Sequence, residues 1–174
     1  MFITADLFFF ALLFNIFIWE RLNQAQLFET SRQLLNPNIG LLNTFFLLTS
    51  SWFMVRAVRS ARAALRIRLV TNILVAVICG VGFAVSKLFE YNAKLHSSIT
   101  ILTNDFFQYY FIFTGFHFFH VLIGLIALVV LLNKARTEVL DERYLFWIET
   151  GASYWHMVDL LWLMLFPLLY LMRA

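Results

Sequence analysis

Five long apolar runs, separated by short polar connectors, organise this chain: residues 2–19, 41–58, 69–88, 106–132 and 150–172. Each approaches or exceeds the roughly 18 apolar residues that carry a helix across a bilayer. The pattern predicts an all-α, integral membrane bundle of five transmembrane helices, in a single domain over residues 1–174. Asn36-Pro37-Asn38-Ile39-Gly40 is a breaker just before the second run, because proline pushes Asn36 out of the helical region.

Polar residues inside the runs are few and periodic. Thr114, His117, His120 or Val121, and Gly124 recur at three- and four-residue steps, which draws one small-and-polar stripe along the fourth helix. Glu149, Ser153, His156 and Asp159 do the same on the fifth, while Trp155, Leu161, Met164 and Leu165 remain for apolar neighbours or lipid. Two such stripes on consecutive antiparallel helices predict a shared interface. The expectation is a buried polar network of His117, His120, Glu149, Ser153, His156 and Asp159 that locks the two helices, with histidine donating to carboxylate. Replacing Asp159 by alanine is then expected to cost about 1–3 kcal/mol, and replacing exposed Glu138 to cost little.

A rival reading takes His117, His120 and His156 as ligands of copper, non-haem iron or a haem in a membrane redox protein. The Glu-x-x-His pairs of a di-iron carboxylate bundle are missing, and the network is the preferred account. Asp6, in FITADLFFF, is predicted near the inner end of the first helix and is the candidate functional carboxylate. Burial would suit it to proton exchange, whereas snorkelling to water or pairing with a base would not. Lys87, Glu90, Lys94 and Asp105 read as solvated charges bracketing the outer connector. Asn43, Thr49, Ser50 and Ser51 on the second helix, and Gly80, Gly82 and Ser86 on the third, read as close-packing positions.

Composition fixes the solvent. With 62% hydrophobic and 13% charged residues, the chain lacks the polar side chains to coat a water-soluble globule of this size. The net charge of +3 does not point to nucleic acid, since the basic residues cluster between apolar runs. Arg56, Arg59, Arg62, Arg66, Arg68, Lys134, Arg136 and Arg143 fall on one side; Arg21, Arg32, Lys87, Lys94 and Arg173 fall on the other. The positive-inside rule therefore predicts the amino terminus inside and the carboxyl terminus outside. Cys79 is the single cysteine, so there is no intrachain disulfide and no CxxC metal clip. The first run begins at Phe2 without a basic leader or cleavage site, which predicts a retained helix; whether a leader precedes Met1 stays open.

TGFHFFHVLIG (residues 114–124), and Glu149 through Tyr154-Trp155-His156, Val158-Asp159 and Trp162, resemble the signature of subunit III of haem-copper cytochrome oxidases. ITADLFFFALLF resembles that family's carboxylate-bearing helix and NPNIGLLNTFFLLTSSWFM its next one, so the resemblance spans nearly the whole chain. The family's full-size members carry seven helices, and this chain would begin at the equivalent of the third. That is similar to the five-helix form of quinol oxidases and of the NorE proteins associated with nitric oxide reductases, and LLTSSWF resembles the NorE-type branch. Asp6 stands where many members have glutamate, and Phe118 and Phe119 replace smaller or aliphatic residues. The resemblance implies a noncatalytic subunit in the bacterial cytoplasmic membrane, with no haem or metal of its own. It implies a catalytic partner subunit bearing haem and copper or iron, bound phospholipid, and support of a proton path.

Overall fold

The computed structural model describes residues 2–137 and 139–172; Glu138 and Arg173, assigned above to an exposed position and the outer side, lie outside them. Helices joined by short connectors, with no strand, make up the described residues: α1 (Phe2–Asn23), α2 (Ala25–Arg32), α3 (Pro37–Arg62), α4 (Arg66–His96), α5 (Asp105–Thr137) and α6 (Glu142–Phe166), with a π-helical extension, Pro167–Leu171. Four of them, α3, α4, α5 and α6 with its extension, are long and apolar enough to cross a membrane. Large apolar side chains such as Phe8, Phe45, Phe89, Phe119 and Ile126 face outward, as a lipid solvent permits.

The helix limits differ from the apolar runs for local reasons. α3 starts at Pro37, because Asn36 Oδ1 accepts from the Asn38 N–H at 3.0 Å and proline suits the first helical turn. α6 starts at Glu142, eight residues before the predicted run, because the Asp141 carboxylate caps the Tyr144 N–H at 2.8 Å. α4 runs on to His96 because its charged end is buried, as described below. The amphipathic α2 occupies a connector where hydropathy alone shows no element.

α3 and α4 are joined by a tight turn with Ala64 at φ 55°, closed by the Leu65 N–H donating to the Ser60 carbonyl at 2.9 Å. α1 lies along one half of α5 through edge-to-face and tilted ring contacts: Phe17 with Tyr109 at 5.8 Å, Phe14 with Phe113 at 5.5 Å and Phe10 with His120 at 5.9 Å between ring centroids. α6 sits among α3, α4 and α5, and the Trp155 indole fills the space between them. A Cβ on Gly124 would stand 2.6 Å from that indole and one on Gly80 3.0 Å, so both glycines are there for close approach.

Candidate functional site

The most heavily buried ionic group lies where α4, α5 and the end of α6 meet. Lys87 is fully buried and Glu90 is 5% exposed. Lys87 Nζ donates to Glu90 Oε2 at 2.8 Å and to the hydroxyls of Tyr110 and Tyr170, both at 3.1 Å. Those hydroxyls in turn donate to Glu90 Oε1, at 2.9 and 2.7 Å. Three ammonium protons, two hydroxyl protons and both carboxylate oxygens are thereby all used, the condition under which a buried charge pair is tolerable. The Trp162 and Tyr91 rings, 5.1 and 5.4 Å from Nζ, add their quadrupoles to the cage.

This overturns the reading of Lys87, Glu90 and Lys94 as solvated charges, since all three are buried. The available signal was spacing. Residues 87, 90 and 94 share one helical face, the spacing of a stripe that meets protein. Asp105 does stay at the connector, accepting from Gln24 Nε2 at 2.9 Å.

The six residues predicted to form one network do not bond to one another through their side chains among the described residues. α5 and α6 meet mainly through Gly124, Trp155, Gly151 and Leu131, which turns their polar groups toward other helices. His156 Nδ1 bonds Ser51 Oγ on α3 at 2.5 Å. Glu149, two turns into α6 and 44% exposed on its side chain, pairs with Arg62 at the end of α3 at 2.8 Å. Ser153 Oγ donates to the Glu149 carbonyl, a local bond within α6. His120 Nδ1 meets the Phe116 carbonyl at 2.7 Å, and its Nε2 lies 3.5 Å from Asp6 Oδ2 on α1.

His117 does meet α6, but through rings: it lies 5.3 Å from Trp162 and 5.6 Å from Phe83, with both nitrogens lacking a hydrogen-bond partner. Asp159 is buried, with Ser51 of α3 in hydrogen-bond reach of its carboxylate and Oδ1 left unpartnered. His117, His120 and His156 thus face three different sets of neighbours, and no three His, Cys, Asp or Glu side chains gather as metal ligands among the described residues.

Asp6 is also moved. Its partner His120 lies about 22 Å along α5 from Asp105 and about 18 Å from residue 132, at ~1.5 Å per residue. The carboxylate therefore stands beside the middle of α5, because α1 pairs with only one half of that helix. The polar positions of α3 do more than permit close packing. Ser50 Oγ donates to the Ala76 carbonyl at 2.7 Å and accepts from Trp155 Nε1 at 3.0 Å, while Thr44 Oγ1 accepts from Trp162 Nε1 at 3.0 Å.

The two ends of the bundle are tied differently. At one, Arg21 Nη2 donates to the Met172 carbonyl at 2.6 Å and Arg32 Nη1 to the Tyr170 carbonyl at 3.2 Å. Glu29, accepting from Arg32 at 2.5 and 3.1 Å, holds that guanidinium above its ordinary pKa. At the other, Arg62–Glu149 is joined by Arg66 Nη1 donating to the Arg136 carbonyl at 3.2 Å.

Apolar outward faces, membrane-length helices and buried polar contacts from helix to helix define a multi-pass membrane protein. Its sequence gives the family: the cytochrome c oxidase subunit III profile matches residues 1–173, and the chain belongs to that family. It is 30% identical, over 98% of its length, to cytochrome c oxidase subunit 3 of Rhipicephalus sanguineus, covering 67% of that protein. It is 31% identical to the Pongo abelii protein over 98% of its length, covering 66%, and 35% identical to that of Chondrus crispus over 78%, covering 49%. The chain thus spans about half to two thirds of the length of these relatives.

Proposed function

We propose that this chain is a noncatalytic integral subunit that packs on the catalytic subunit of a haem-copper respiratory oxidase. The observation that carries the reading is the subunit III match over residues 1–173. In its finer form it is the NorE-type subunit of a nitric oxide reductase, which rests on the likeness of LLTSSWF alone. The domain is a single bundle of five spans, α1 included, with the amino terminus inside and the carboxyl terminus outside. The arginine-rich ends of α3 and α4 support that direction. Its setting is a bacterial cytoplasmic membrane. The chain holds phospholipid and no haem or metal of its own; haem and copper or iron belong to the partner.

Asp6 is the carboxylate to test for support of a proton path. Its 3.5 Å approach to His120 places an acid beside an imidazole, the pairing that proton relays use.

The test is mild solubilisation of native membrane with a tagged chain. Recovery with a larger haem-bearing subunit is the expected result, and the spectrum and turnover of that complex distinguish oxygen from nitric oxide as substrate. Recovery as a stable lone monomer, or a stoichiometric haem, copper or iron in the pure chain, refutes the reading.

A further inference from the structure

Five arginines crowd the junction of α3 and α4, and the fold uses them unequally. Arg62 and Arg66 tie helix ends together, as described above. Arg56, Arg59 and Arg68 instead line one recess of about 450 Å³, whose polar wall is Ser60 and Asn72 and whose lining contains no acidic residue. Both wall residues are buried, and Asn72 Nδ2 donates to Ser60 Oγ at 3.2 Å. Among the described residues none of the three guanidiniums pairs with a carboxylate. Arg56 lies over Trp52 and Phe53, at 5.1 and 5.7 Å from the ring centroids.

The start of α4 adds to the same potential. Leu65 at its N-cap offers no side-chain acceptor and its first turn has no acidic residue, so the positive end of the helix dipole is left uncompensated. Arg68 stands in that first turn, where a cation is disfavoured unless an anion joins it. Topology alone requires positive residues on one side of the membrane; it does not require them to converge on a recess. Trp52 and Ile67, 56% and 85% exposed, flank it, so the recess lies at the depth where lipid headgroups meet acyl chains.

We infer that this recess binds the phosphate headgroup of an anionic phospholipid, with Arg56, Arg59 and Arg68 as its ligands and Trp52 and Ile67 against the chains. The inference rests on the lipid-binding part of the proposed function, but it is read on the chain alone. Its failure is therefore distinct from failure to find a catalytic partner.

The full chain, in a neutral detergent, is titrated with phosphatidylglycerol, phosphatidylcholine and inorganic phosphate, and bound lipid is counted by native mass spectrometry. Phosphatidylglycerol should bind the tighter of the two lipids. Arg59→Gln with Arg68→Gln should weaken it about a hundredfold, at about tenfold per lost charge-assisted contact. Arg143→Gln, a cation outside the recess, should change it less than about threefold if the effect is local. Equal binding of the two lipids, equal loss in Arg143→Gln, an unchanged double variant of parental helicity, or complete displacement by inorganic phosphate overturns the inference. Should the double variant lose helicity, Arg59→Lys decides. It keeps the charge and loses the fork, so a loss of about threefold or more supports the site and none overturns it.

Discussion

Lys87→Met deletes a buried ammonium while keeping most of the unbranched stem, and its cost can be worked from the contacts. Glu90, 5% exposed, would keep two tyrosine donors on Oε1 and lose its 2.8 Å partner on Oε2; both tyrosine hydroxyls would lose a donor. Breaking one side of a buried ion pair costs about 3–5 kcal/mol. Three charge-assisted hydrogen bonds at ~1.5–3 kcal/mol each bound that figure from above, since part of the cage survives. The expected loss is about 3–5 kcal/mol, read from unfolding in mixed micelles of mild detergent and dodecyl sulfate. Glu90→Gln on top of it removes the stranded charge and leaves the tyrosines an acceptor. The double variant should therefore recover at least about 2 kcal/mol relative to the sum of the singles. A loss under about 1 kcal/mol for Lys87→Met, or additive singles, would show that the pair is solvated and refute the cage.

Gly124→Ala should cost about 1–3 kcal/mol in the same assay despite the better helix propensity of alanine, because its Cβ would sit 2.6 Å from the Trp155 indole; a stabilised variant would mean that α5 and α6 are packed less closely. Asp159→Asn should change stability by no more than about 1 kcal/mol, since the amide keeps an oxygen to accept from Ser51 and Oδ1 has no partner to lose, and a loss above about 2 kcal/mol would make the charge itself a structural link. Arg62→Gln should cost no more than about 1 kcal/mol, with the difference vanishing in high salt, because the Arg62–Glu149 side chains are 65% and 44% exposed.

Hydropathy was enough to find α3, α4, α5 and α6, because a run that must displace water with lipid leaves a dense apolar record that neighbouring helices cannot disguise. It was not enough to find their ends. Asn36 and Asp141 start helices by single side-chain bonds, and α4 keeps its helix through Lys87, Glu90 and Lys94 because the hydroxyls of Tyr110 and Tyr170 and the rings of Phe107 and Tyr110 receive those charges. Periodicity likewise identified residues that face protein, His117 and Asp159 among them, but not the partner of each. The stripes on α5 and α6 share a period, yet the rotation of each helix decides what it meets. That rotation is set by bulk, with Trp155 between two glycines, and not by the polar residues themselves. Tyr110 and Tyr170 were invisible as site residues because an aromatic in such a chain is ordinarily packing or belt.

The contacts of α6 also show how a chain with so few polar residues specifies one arrangement of helices. Burial of apolar surface discriminates poorly between partners in lipid, so small residues and single hydrogen bonds must do it. α6 makes them in turn along its length: Glu149 to Arg62, Trp155 to Ser50, His156 to Ser51, and Trp162 to Thr44, which together fix the antiparallel register against α3. Tyr154 Oη donates to the His120 carbonyl of α5 at 3.3 Å. The last contact depends on a break in the helix. Pro167 has no N–H to continue the ladder, and the turn that follows is wider, closed by the Met172 N–H donating to the Pro167 carbonyl at 2.9 Å. That wider turn alters the rotation of the residues it contains, and Tyr170 among them faces α4, where its hydroxyl completes the shell of Lys87 and Glu90. A proline that costs one backbone bond at the end of α6 is thus tied to the group that makes a buried charge pair tolerable.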